Sequence, residues 1–385
     1  MRGSDPDLLV LGGGAVGLAT AWFAAERGSR VRVLERHRSP NELSSHHGET
    51  RMIRCAYAEH PDYVALARHA WDQWLALDDL GGNPVLHATG GLYLGAPDSA
   101  WMRGALTAAR AHDLPHDLLD VQELQRRVPP LLLPPGCSAM FEPFAGYLLC
   151  EAALRRFATL ARAAGAEIVE DTHVVALLAE ADGRPCAITS RGEKFRAAAV
   201  VDARGPGMAE AGLPWPLRVT RQVLGWFEAR DADALCEGCL PVWAVDAAAV
   251  GGPAGGLLYG FPVLPGQTQL KAAWHSPGPE IVPYSPAPAE LAELDGAGRA
   301  LAALFPGRTG ATIRASACQY TMSPDGHFLL DRHPSGARGV AAAGLSGHGF
   351  KFAPVLGQAL AEMALDGGTE LPVTFLSARR LPGAA

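Results

Sequence analysis

Apolar residues recur along this chain in rhythms that change from one region to the next. Leu8-Leu-Val-Leu11 is a short unbroken apolar run ending in glycines, the pattern of a strand buried on both faces of a parallel sheet. Residues 15–27 follow as an alanine-rich helix closed by Gly28, and 30–34 as a second strand ending at Glu35, so the opening reads as a βαβ unit. Helical spacing returns over 62–77, 101–112 and, with an amphipathic face, 152–165. Strands are predicted at 167–169, 173–178 and, after a polar turn at 181–185, at 198–203. From about 218 to 320 the runs are aromatic and β-branched, as in Val223-Leu-Gly-Trp-Phe227 and Leu257-Leu-Tyr-Gly-Phe261, which predicts a mostly antiparallel sheet. A helix at 355–365 closes the chain, and the Pro-rich stretches 129–135 and 278–288 read as surface loops.

A length of 385 residues predicts two domains. The formal net charge of −7 is spread without long single-sign runs, which excludes a nucleic-acid surface. Residues 8–25 carry no charge, but they contain Gly12, Gly13, Gly14 and Gly17 behind a net acidic leader. That argues for a buried strand and helix, not a membrane span or secretory signal. Seven irregularly spaced cysteines do not make a disulfide framework and suit a reducing cytoplasm. Cys236 and Cys239 form a single C-x-x-C with neither a second pair nor nearby histidines, so no metal site is expected.

Gly12-Gly-Gly14-Ala-Val-Gly17 fits G-x-G-x-x-G between a strand and a helix. Gly12 would make the tight turn, Gly14 would let backbone approach a pyrophosphate, and Gly17 would let helix pack on strand. Glu35 stands where an acid meets ribose hydroxyls, which disfavours a 2′-phosphate but leaves FAD and NAD both open. The chemistry-bearing motifs lie far from this loop. Ser44-Ser-His-His-Gly-Glu-Thr-Arg51-Met-Ile-Arg54 carries two arginines three apart, on one face if helical and on opposite faces if extended. Either could hold a carboxylate in bidentate geometry. Lys271 and His275 share one face of a predicted strand, roughly 13 Å apart. A lone thiol, Cys318, and the run Ser346-Gly-His-Gly-Phe-Lys351 complete the set. A nucleotide loop at one end of the chain and a thiol with a His/Lys pair at the other suggest a cofactor held from both.

Taken in order, these motifs resemble monomeric sarcosine oxidase and N-methyltryptophan oxidase, FAD amine oxidases of the D-amino-acid-oxidase superfamily. The similarity rests on the arginine motif followed by Tyr57 and Glu59, on Phe141-Glu-Pro-Phe-Ala-Gly146, and on Arg221-Gln-Val-Leu-Gly-Trp-Phe-Glu228. It continues through Tyr259-Gly-Phe-Pro262, Leu270-Lys271 to His275, Cys318-x-Tyr320-Thr321 and Gly347-His-Gly-Phe-Lys351-Phe. The resemblance spans nearly the whole chain. It implies an α/β fold with a Rossmann-like FAD-binding domain assembled from 1–86, 147–220 and 324–385. An α+β substrate domain with a mostly antiparallel sheet would take 87–146 and 221–323.

The resemblance also assigns roles. Gly12, Gly14, Gly17, Glu35, Thr50, Arg51, Gly347 and Lys351 would hold FAD, and Cys318 would bond covalently to the flavin 8α-methyl. Lys271 would promote oxygen reduction and His275 would contact the substrate amine, with Arg51, Tyr259 and His348 also catalytic. Arg54 and Lys351 would grip the substrate carboxylate, and Tyr320 would line the pocket. The expected partners are a small amino acid and molecular oxygen, with no membrane and no nucleic acid, in a cytoplasmic monomer. The reaction implied is oxidation of an N-methyl or cyclic α-amino acid to an imine, with hydrogen peroxide released. A tailoring oxidase of a proline- or pipecolate-like imino acid is the alternative. Two segments depart from the pattern. Val201-Asp-Ala-Arg-Gly-Pro-Gly207 lacks an expected tryptophan, and Leu240-Pro-Val-Trp243 places Trp243 where it is expected to reshape the substrate cavity.

Overall fold

The fold was analysed in a computed structural model, which describes residues 5–381 apart from Ala58 and Pro277; the first four residues of the acidic leader lie outside the described residues. A six-stranded sheet runs, in spatial order, Leu329–Arg332, Gly339–Ala343, Ala199–Asp202, Leu8–Leu11, Val31–Leu34 and Glu167–Val169. Every neighbouring pair is parallel except Leu329–Arg332 with Gly339–Ala343. The continuous apolar run at the start of the chain has its reason here. Leu8 to Leu11 are all fully buried because sheet neighbours flank the strand and packed layers cover both faces. The Ala15–Glu26 helix packs on the C-terminal Ala353–Leu365 helix, so closely that a Cβ on Gly357 would lie 2.6 Å from the Ala19 side chain. The two ends of the chain thus close one layer.

An eight-stranded sheet takes its strands from 91–142 and 218–322. It is antiparallel apart from the pairing of Val242–Asp246 with Gly91–Gly95. Its long members are Arg218–Ala229 and Thr309–Met322, paired along nearly their whole length. A small antiparallel sheet of Thr50–Arg54, Ala145–Leu149 and Leu86–His87 lies between the two large ones in sequence terms, drawing on strands that border both sets.

The arginine motif is therefore extended, and Arg51 and Arg54 leave opposite faces of their strand. Predicted helices at 62–77 and 101–112 appear as Tyr63–Asp79 and Ala100–Ala111. The second begins where the Ser99 hydroxyl caps the Met102 amide. Among the described residues no helix is long and apolar enough to cross a membrane.

Candidate active site

The glycine loop forms as the motif demands. Gly12 has φ +99°, and a Cβ there would sit 2.5 Å from the Ala203 carbonyl oxygen. A Cβ on Gly17 would sit 1.9 Å from the Gly12 carbonyl oxygen, so Gly17 is required by helix–strand contact. Gly14 is different: among the described residues nothing lies within 4 Å of the position a Cβ would take. Its glycine leaves open space at a helix N-terminus, the setting that receives an anion. Glu35, buried at the end of the second strand, accepts from the amides of Gly13 (2.6 Å) and His37 (2.9 Å). Burial raises its pKa against the pull of those amides.

From this loop a groove leads inward. Its outer end is bordered by Glu35, Arg36, Arg204 and Tyr284. The segment lacking the expected tryptophan lies here. Arg204 pairs with the buried Asp202 at 2.6 Å and the Tyr284 hydroxyl donates to the Arg204 carbonyl, so a charged strut stands in that place. The middle of the groove runs between Gly14, Ser45, Tyr320 and Gly347. A further cavity adjoins it, sharing Arg51, Tyr320, Gly347 and Phe350 as walls. An elongated dinucleotide fits this path: glycine backbone and a ribose-facing acid at one end, and a lined chamber at the other. The residues present thus match FAD.

The inner cavity concentrates charge. Arg54 and Lys351, each 6% exposed, border it with Glu59, Tyr259, His275 and His348. Arg54 donates to the Glu59 carboxylate at 2.5 Å and stacks its guanidinium over the Tyr57 and Trp101 rings. Burial would raise the Glu59 pKa, but Arg54, followed by His348 and Lys351, holds it at about 2. Lys351 donates to the His348 carbonyl at 2.9 Å; burial first, and Arg54 second, bring its pKa down to about 7.

His348 is held at both nitrogens. Nε2 faces the Gly326 carbonyl at 3.0 Å, so it is the donor, and Nδ1 accepts from the Tyr57 hydroxyl at 2.5 Å. Burial lowers its pKa to about 3, which keeps the ring neutral. With both nitrogens hydrogen-bonded, His348 presents the cavity with a fixed ring. His275 lies across the cavity beside Tyr320, ring centroids 5.7 Å apart, and burial lowers its pKa too.

Arg51 sits where the two spaces meet, donating to the carbonyls of Ser45, His47 and Thr50, with Cys318 Sγ 3.5 Å from Nη2. Cys318 is 1% exposed, on the strand next to Gln222. Lys271 lies behind Arg51. Its ammonium donates to the carbonyls of Gly48 (2.5 Å) and Thr50 (2.7 Å) and to the Thr50 hydroxyl (3.1 Å). Burial, and then Arg51, lower its pKa to about 7 while these acceptors favour the charged form. Thr50, expected to touch the cofactor, serves here as the shared acceptor of Lys271 and Arg51.

Trp243 is a correction. It is fully buried on the far face of its strand, packed on Gly260 and Phe305 in the core of the eight-stranded sheet. Its neighbour Ala244 lines the cavity instead, because side chains alternate along a strand. The tryptophan that does reach the cavity is Trp101, which the sequence marked only as a helix start. Glu59 was also missed as a site residue. Its pairing with Arg54 forms after the strand ends and the chain folds back, a spacing with no helical or strand period.

A profile described as FAD dependent oxidoreductase (the DAO family) matches residues 7–363. Monomeric sarcosine oxidase of Bacillus sp. (strain B-0618) is 32% identical over 97% of this chain and 96% of its own. N-methyl-L-tryptophan oxidase of Salmonella enteritidis PT4 (strain P125109) is also 32% identical, over 93% of this chain and 94% of its own. Among solved structures, NikD, described as an unusual amino acid oxidase essential for nikkomycin biosynthesis, superposes with a TM-score of 0.83 at 26% identity, covering 97% of both chains.

Proposed function

This chain belongs to the FAD dependent oxidoreductase family and is an FAD-dependent amine oxidoreductase, and from that premise we propose that it oxidises secondary α-amino acids, N-methylated or cyclic, with molecular oxygen as acceptor, releasing an imine and hydrogen peroxide. The observation that carries this reading is the pair of buried cations, Arg54 and Lys351, in a cavity that opens through Arg51 and Gly347 onto the nucleotide groove. The names of the sarcosine and N-methyltryptophan oxidases support it.

Bound FAD supplies the two-electron acceptor for the amine's C–H bond and the route of those electrons to oxygen. The chain's own residues do the rest. Arg54 and Lys351 dock the carboxylate, Arg54 exchanging part of its contact with Glu59 for the substrate. An amine reacts through its nitrogen lone pair, and Arg51, Arg54 and Lys351 lower the ammonium pKa by like-charge repulsion, so no strong protein base is required. His275 faces the amine, and Tyr259 and Tyr320 close the wall. Lys271, in its protonated form, stands behind Arg51 as a positive charge for oxygen reduction.

We further propose Cys318 as the covalent attachment point, supported by its Sγ lying 3.5 Å from Arg51, which borders both spaces. If so, the yellow colour stays with acid-precipitated wild-type protein and leaves Cys318→Ser. The enzyme is proposed to act as a cytoplasmic monomer, with the FAD-binding domain taking 1–86, 147–220 and 324–385. The cyclic-substrate reading is supported by the apolar residues Trp101, Ala244 and Leu257 on the cavity wall.

Anaerobic titration of the purified flavoprotein with sarcosine, other N-methyl amino acids, L-proline and L-pipecolate tests both readings. Rapid bleaching by one of them, with peroxide on admitting air, is the expected outcome. A flavin that none of them bleaches overturns the substrate class.

A further inference from the structure

The C-x-x-C at 236–239, which the reaction does not use, lies in a tight turn. The Cys239 amide donates to the Cys236 carbonyl at 3.1 Å, and the turn is made possible by Gly238 at φ +93°. An i to i+3 turn brings its end Cα atoms within about 7 Å, the range a disulfide spans. Cys236 Sγ reaches the Asp233 carbonyl at 3.0 Å, on the same turn. Both are free, with Cys239 exposed and Cys236 half-buried. The Cys236 end is anchored, since Cys236 bridges to Val263 and the Val263 amide donates to the Leu235 carbonyl.

Between the cysteines lies Glu237, and it points inward. His87 Nδ1 is 3.1 Å from both of its carboxylate oxygens, and the Tyr147 hydroxyl donates to Oε2 at 2.7 Å. The His87 and Tyr147 rings stack at 4.5 Å. Tyr147 is register partner to Met52, between Arg51 and Arg54, and its ring packs in the cluster that Met52 and Tyr259 lean on. Met52 and Tyr259 both line the substrate cavity. One carboxylate therefore ties the dithiol turn to the layer directly behind the cavity wall.

We propose that Cys236 and Cys239 form a peroxide-oxidised disulfide site whose closure shifts Glu237 and, through His87 and Tyr147, alters substrate binding. The chemistry balances. One thiolate sulfur attacks a peroxide oxygen, the O–O bond breaks, and a sulfenic acid and water result. The second thiol attacks that sulfur, the S–O bond breaks, and a second water leaves, so that both sulfurs are oxidised and both peroxide oxygens reduced. The adjacent Cys236 first, then desolvation and Asp233, raise the Cys239 pKa and work against its thiolate, which makes this a slow response to accumulated oxidant instead of a rapid sensor. The proposal rests on the oxidase reading for the source of peroxide and for the amine whose binding it alters.

The test adds the oxidant from outside. Holoenzyme is treated with hydrogen peroxide, or in a parallel arm with diamide, then alkylated, digested and mapped by mass spectrometry. The expected result is a Cys236–Cys239 linked peptide in both arms, cleaved by dithiothreitol and absent from Cys239→Ser. The oxidised enzyme should show a KM for its best amine changed a few-fold with kcat less affected. Dithiothreitol should reverse this, and Glu237→Gln should form the disulfide without the KM change. Free alkylated thiols after both treatments overturn the site, and linkage by diamide alone overturns peroxide as its oxidant. A linked peptide with an unchanged KM overturns the coupling. The mapping arms need no turnover, so they read out even if every candidate amine fails to bleach the flavin.

Discussion

The nucleotide groove and the substrate cavity share four wall residues, yet they are built in different ways. The groove is made by backbone: a strand end, a glycine loop at positive φ, a helix N-terminus and amides gripping Glu35. The cavity is made by side chains from separate parts of the chain, among them Arg54, Trp101, Tyr259, His275 and Lys351. A backbone site depends on what cannot be added, since a side chain at Gly12 or Gly17 has no room. A side-chain site depends on charges that are costly to bury unless paired, and here Glu59 offsets only part of the cationic load. The first needs geometry and the second needs compensation.

Breaking each device should therefore give different failures. In the cavity, Arg54→Met removes the proposed carboxylate partner and leaves Glu59 without its cation. Removing one partner of a buried hydrogen-bonded charge contact costs about 2–5 kcal/mol of binding, so kcat/KM in steady-state assays should fall by on the order of a thousandfold. In the groove, the glycines should separate. Gly17→Ala forces a contact with the Gly12 carbonyl and should yield little folded protein, whereas Gly14→Ala has space in the apoprotein and should fold but lose flavin. Circular dichroism beside flavin absorbance distinguishes the two; a yellow Gly14→Ala protein would remove the pyrophosphate from that position.

Lys271 tests the boundary between the regions. Lys271→Met should leave anaerobic bleaching nearly intact while stopped-flow reoxidation slows by about a hundredfold to a thousandfold, the usual cost of deleting one electrostatic donor. A smaller effect is expected from pH. Lys351, at about 7, is charged below that pH and neutral above it, so carboxylate docking weakens as pH rises. The amine's need for its free base works in the opposite direction. The profile of kcat/KM should thus be a bell whose falling limb lies near 7 and disappears in Lys351→Met. The smallest effect on catalysis belongs to Trp243→Phe. It should cost about 1–3 kcal/mol of stability, seen in denaturant melts, and leave KM unchanged, since Trp243 packs in the core away from the cavity.

How far each region was legible from sequence follows the same division. The loop from Leu8 to Gly17 and the acid at 35 sit within one βαβ unit, where short-range patterns carry the geometry. The Lys271–His275 parity was legible too, because a strand's alternation is local. Trp243 misled because its side of the strand is set by neighbouring strands: Ala244 and Trp243 differ by one position, and only the sheet's packing says which faces the cavity. The Arg54–Glu59 pair and the doubly held His348 gave no periodic signal, since one needs the chain to double back and the other brings Tyr57 and Gly326 to the same ring.

What the amino-acid sequence determined by itself was the set of local devices: a glycine loop that turns and opens a helix, strands with their alternation, and residue types suited to amine oxidation. What only the tertiary structure decided was which of those residues meet. Arg51 joins Cys318 across 267 positions and Lys271 joins Gly48 across 223. The cause is physical: bond angles and side-chain sterics act between near neighbours and leave a periodic trace, whereas burial and charge compensation act between whatever surfaces the folded layers press together.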